Sequence, residues 1–146
     1  MAQIAKLDSE AIDDIREFQK YARQHLKIDA SSSPAKIVER IENYVKDIKG
    51  RGEIPDQDLT IGLGVFLGGQ YVDAFAWHWG EVVWDGNQEN SQTCVLSPDN
   101  SLSINPIAWV HDVISTERST NFLLGFNMIA AGNHPQFSPN EAKSIN

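Results

Sequence analysis

LTIGLGVFLGGQYVDAFAWHWGEVVW, residues 59–84, changes its periodicity partway along, and that change decides the fold. Leu59, Leu63, Phe66, Leu67, Tyr71 and Phe75 recur at helical spacing and predict a helix over residues 59–75. Gly62, Gly64, Gly68 and Gly69 interrupt it, and each weakens a helix by about 1 kcal/mol relative to Ala. That cost is reasonable only where another element packs close. Gly64 and Gly68, four residues apart, stack on one face and mark the place. From Trp77 the pattern alternates. Trp77, Trp79, Glu81 and Val83 point one way and His78, Gly80, Val82 and Trp84 the other, as in a strand.

Upstream lie two amphipathic helices. The first is capped at Asp8-Ser9 and carries Ile12, Ile15, Phe18, Ala22 and Leu26 on one stripe. Ser33-Pro34 opens the second, with Ile37, Ile41, Tyr44, Val45 and Ile48 inward and Gly50 at its end. Their charged residues read as solvated faces, and the two as an antiparallel pair over residues 1–50. Residues 50–55 form a short connector, and Asp56 or Asp58 caps the central helix. Downstream, Asp85-Gly86 is a turn signal and residues 87–91 a polar loop. Gln92–Leu96 and Ser101–Ile104 complete a three-stranded antiparallel meander. Asn105-Pro106 starts a fourth helix with Ile107, Val110, Val113 and Ile114 inward. Ser119-Thr120-Asn121 caps a fifth over residues 122–131. The polar tail, residues 133–146, is expected to fray. The expectation is one α+β domain, a short three-stranded meander packed with about five helices, its main body in residues 56–132.

The chain of 146 residues, 41% hydrophobic, is long enough for one ordinary core. No apolar run is long enough to span a membrane. The first residues hold no apolar signal core before acids appear. With one cysteine, Cys94, no internal disulfide is possible, and a cytoplasmic setting is expected. The net charge of −8 is unevenly placed. Residues 1–51 hold ten Lys/Arg against nine Asp/Glu, whereas residues 52–146 hold two, Arg118 and Lys143, against eleven. That asymmetry argues against a nucleic-acid partner, which requires clustered cations. It suits a basic protein partner, although solubility alone also accounts for acidity.

Residues able to carry chemistry do not assemble into a motif. The glycines of residues 61–69 lack the Lys-Ser/Thr that ends a phosphate loop, because Gly69 is followed by Gln70-Tyr71. His25, His78, His111, His134 and Cys94 never approach zinc-ligand spacing, so no metal or other cofactor is expected. Cys94 with His78 or His111 would be a nucleophile and base, but it sits mid-strand in an acidic region, where a thiolate is not favoured. Glu81 and Asp85 as an acid/base pair are no more than any acidic turn offers. No enzyme activity and no catalytic residue is expected.

Trp77, Trp79, Trp84 and Trp109 are the more informative set. Trp is enriched at binding hot spots as well as in cores, and Trp84, at its strand's end, suits either place. An aromatic ring among Glu81, Asp85, Glu89 and Asp99 would fit a basic partner.

The order of elements resembles small bacterial domains with an "LGxxLGE…GWxW" helix-to-strand signature. Some of these accompany polymorphic toxins and type VI secretion systems as immunity proteins. The matching positions are Leu63-Gly64, Leu67-Gly68 and Trp77 to Trp79, within residues 59–114. Gly69 and Gln70 stand where the family places an acid. The resemblance implies an immunity protein that binds and neutralises a cognate toxin or effector, with no active site to carry over. The expected contact residues are Glu81, Trp84, Asp85, Glu89 and Asp99, on a monomer or homodimer. An effector chaperone or secretion adaptor is the alternative, and a small hydrolase a more distant one.

Overall fold

The computed structural model describes residues 2–84 and 91–146. Its elements run β1 (Ala2–Ala5), α1 (Ser9–Leu26), α2 (Pro34–Gly50), α3 (Gln57–Phe75), β2 (His78–Trp84) and β3 (Gln92–Leu96). Then come β4 (Leu102–Ile104), α4 (Pro106–Ser115), α5 (Phe122–Ala130) and β5 (Lys143–Ser144). The chain is α+β. The turn at Asp85-Gly86 and the loop that follows fall outside the described residues.

α3 is the axis. Asp56 caps it, its carboxylate accepting from Leu59 N at 2.7 Å. From Leu59 to Tyr71 every residue except Ile61 is buried, because other elements surround the helix. α1 lies on one side, α4 on another, and α2 on a third, where it also meets α5. α1 and α2 touch over a limited area, His25 Nε2 lying 3.1 Å from Tyr44 Oη and Arg40 Nη2 donating to Leu26 O at 3.3 Å, while each also covers α3. The glycines make these approaches possible. A Cβ built on Gly64 would stand 2.6 Å from Ile107 Cα, and one on Gly68 would stand 2.6 Å from the Trp79 ring. Only a residue without a side chain lets backbone and ring come that near.

The sheet corrects the expected three-stranded meander. β2, β3 and β4 do form it, with His78 opposite Leu96 and Val95 opposite Ile104. To this β1 adds antiparallel to β2, Ala2 opposite Trp84, and β5 adds parallel to β4, giving five strands in the order β1-β2-β3-β4-β5. The tail is therefore docked. Ser103 Oγ donates to Ala142 O at 2.8 Å, Ile145 N donates to Ser103 O at 3.1 Å, and Ala142 is wholly buried. Parallel backbone pairing at an open edge holds it despite its polar composition.

The alternation expected in β2 is present and separates two clusters. Trp77, Val95, Leu102 and Ile104 join residues of all five helices in the main core, with Trp79 half-buried against it. Ala2, Val82, Cys94, Leu96 and Ala142 form a smaller cluster on the other face. One further departure concerns α5. Asn121 sits at its N-cap but makes no side-chain capping bond. Glu42 on α2 supplies the acceptor instead, taking Leu123 N at 3.2 Å, while Lys46 lies 3.4 Å from its other oxygen. A carboxylate at the positive end of a helix is stabilising, which explains a buried acid on a face expected to be solvated.

Candidate functional site

A groove of about 650 Å³ runs between the α2–α3 connector, the start of α3, the outer side of α4 and the start of β3. Its floor holds Ile61, Ile107 and Ile114, all half-buried, and at its lip stands Ile54, 85% exposed. That side chain is the most exposed large hydrophobic residue described, and nothing in the core needs it there. Ile107 and Ile114, expected inward on α4, turn partly to the groove, while Trp109 takes the inward place. Pro106 at the first turn and Asn105, accepting from Ala108 N at 3.1 Å, fix where α4 begins and so which face it shows.

Among the described residues, no lysine or arginine lines the groove. Asp112 lies in its wall with His111 Nδ1 at 3.8 Å, and Asp56 and Glu53 flank Ile54 in sequence. Glu53 is paired with Arg51, Nε to Oε1 at 3.1 Å, both side chains remaining exposed, so Asp112 and Asp56 are the nearby acids without a lysine or arginine partner among the described ion pairs. Glu81 joins from below. Its carboxylate accepts from Ser91 Oγ at 2.9 Å and Thr93 Oγ1 at 3.2 Å, and both of those residues line the groove.

The residues singled out from the sequence do not converge. Glu81 meets the groove only through Ser91 and Thr93, which line it. Trp84 is half-buried on the opposite face of the sheet, packed against the cluster of Ala2, Val82 and Cys94. Asp85 and Glu89 lie outside the described residues. Asp99 belongs to the β3–β4 turn, at the far end of the hairpin from Trp84. About six residues of strand separate the two ends, roughly 20 Å. There it accepts from Ser101 N at 3.0 Å, and Ser101 hydrogen bonding holds its carboxyl below the usual carboxylate range. It serves as a turn former. Ile54 and Asp112 were missed because one sits in a connector and the other beside a surface histidine. The usable signal was an isoleucine with no place in any apolar stripe.

Cys94 is wholly buried, and burial, followed by the Glu81 charge, pushes its thiol up to about 12. It is a thiol, not a thiolate, at neutral pH. Among the described residues no group of three or more His, Cys, Asp or Glu is arranged to hold a metal ion, and no helix is long and apolar enough to cross a membrane. Gln70, where a phosphate loop would need lysine, lies inside α3 and donates to Phe66 O at 2.9 Å.

Compared with protein-family models, curated proteins and solved structures, the chain matches none.

Proposed function

We propose that the chain is an immunity protein, binding a basic toxin or effector and blocking its active site with the groove beside Ile54. One observation carries the reading: a large exposed isoleucine at the lip of an apolar-floored groove whose described lining holds one acid, Asp112, and no lysine or arginine. An apolar anchor with acids near it is what an interface with a basic partner needs, the anchor governing dissociation and the charges governing encounter. The excess of eleven acids over two Lys/Arg in residues 52–146 extends that field beyond the groove. Glu81 stays in the contact set of this proposal. Ile54 and Asp112 join it, and Asp99 leaves it.

The test is affinity capture of a stoichiometric partner from the native host, with wild type and with Ile54→Lys/Asp112→Lys. Both substituted residues are exposed, so the double variant is expected to match the wild type in thermal unfolding. Its affinity for the partner is expected to fall by at least about tenfold, as for loss of an interface anchor. Equal affinity would remove the groove from the interface. The same apolar floor favours an effector chaperone as the second reading. A chaperone leaves its folded, released partner active, whereas an immunity protein silences it.

A further inference from the structure

On the other side of α4, sharing no lining residue with the groove, lies a cavity of about 240 Å³ between α3, α4, α5 and the docked tail. Its walls are largely apolar, with Trp109, Ile129, Phe137 and Ile145 among them. A tyrosine also lines it. Tyr71, 1% exposed, carries a hydroxyl with no hydrogen-bond partner. The hydroxyl lies beside Gly125, where a built Cβ would stand 3.8 Å from it and 3.0 Å from the Trp109 ring. An orphaned hydroxyl is costly to bury, and nearly all such groups in folded proteins have a partner. Phenylalanine would pack the same space without that cost.

We propose that this cavity binds a small, uncharged aromatic molecule carrying one oxygen acceptor, a carbonyl or ether, with Tyr71 donating to that oxygen. Size and chemistry agree. A cavity of about 150 Å³ accommodates a benzene ring, so this one has room for a ring and a short substituent. Burial pushes the Tyr71 hydroxyl further above its ordinary range, so it remains a donor at any physiological pH. No lysine, arginine, aspartate or glutamate lines the cavity among the described residues, which selects against a charged ligand. The tail contributes Asn133, His134, Pro135 and Phe137 to the lining, so occupancy is coupled to its docking.

The probes are acetophenone, which carries the acceptor, and ethylbenzene, which has nearly the same shape without it. Trp109 lines the cavity and reports through its fluorescence, with thermal unfolding as the second readout. Wild type is expected to bind acetophenone about 3- to 10-fold more tightly than ethylbenzene, the worth of one neutral hydrogen bond. Tyr71→Phe is expected to fold, to be no less stable, and to lose that preference. Equal binding of the two probes by wild type would overturn the proposal, as would failure of acetophenone to bind at its solubility limit. Retention of the preference in Tyr71→Phe would overturn it too. Should that variant not fold, the wild-type preference decides alone.

Discussion

The two faces of the sheet are held by different means. Toward the helices, twenty buried residues form the main cluster among the described residues, and sixteen of them lie on the five helices. On the opposite face, five buried residues suffice, and two of the five, Ala2 and Ala142, come from the terminal segments. One core is closed by helices packed around α3, which is buried over most of its length. The other is closed by short strands whose side chains contribute little and whose backbone pairing does the holding. Removing one packing side chain should therefore harm the first face more, and disturbing one backbone contact should harm the second more.

Matched truncations give the largest expected effect. Leu63 and Leu96 are both wholly buried, one on α3 and one on the outer face. Leu63→Ala is expected to cost about 3–5 kcal/mol and Leu96→Ala about 2–3, within the span known for such cavities. Urea unfolding midpoints at constant slope measure both. Equal losses would mean that the small cluster is as rigidly enclosed as the large one.

Next comes Ala142→Asp, which places a carboxylate where Ala142 packs with Leu96 and Cys94. The tail is expected to undock rather than the domain to unfold, limiting the loss to about 1–3 kcal/mol. Cys94 supplies the readout. In the wild type it should resist thiol reagents until global unfolding, because it is both buried and protonated. In the variant, labelling should quicken well before the unfolding transition. Unchanged protection would show that β5 is not what closes this face.

Glu42→Ala probes how α5 is tied to the main core. Loss of the acceptor for Leu123 N is expected to cost about 1–2 kcal/mol, the range of a lost helix cap. The smallest effect lies at the joint between helix and sheet. Ala76 ends α3 in the left-handed region, φ 59°, where a Cβ is disfavoured. Ala76→Gly is expected to stabilise by about 0.5 kcal/mol, after allowance for the entropy glycine adds to the unfolded chain.

What could be read from the sequence follows the same division. Leu59 to Phe75 and the alternation after Trp77 are long enough to show their periods, so α3, the first face and the central meander were legible. Ser33 and Asn105 announced their helix caps by residue type, and Asp56 was one of two candidates for the α3 cap. β1 and β5 were not legible, since four and two residues carry no period and acquire strand geometry only from a distant partner. Glu42 looked like one more surface charge, because its value comes from Leu123, eighty-one residues away. The candidate site was legible only in sign. The acids of the second half suggested a basic partner, but Ile54 sat in a connector, and Asp99 shapes a turn at the far end of the hairpin from Trp84.

The central claim is that the groove beside Ile54 silences a basic toxin, and inhibition tests it most directly. Purified partner toxin would be assayed for its own activity while wild-type protein or Ile54→Lys/Asp112→Lys is titrated in. Stoichiometric inhibition by wild type, with the double variant requiring at least about tenfold more protein, is the predicted result. Full toxin activity in a saturated wild-type complex, or equal inhibition by both proteins, would contradict it.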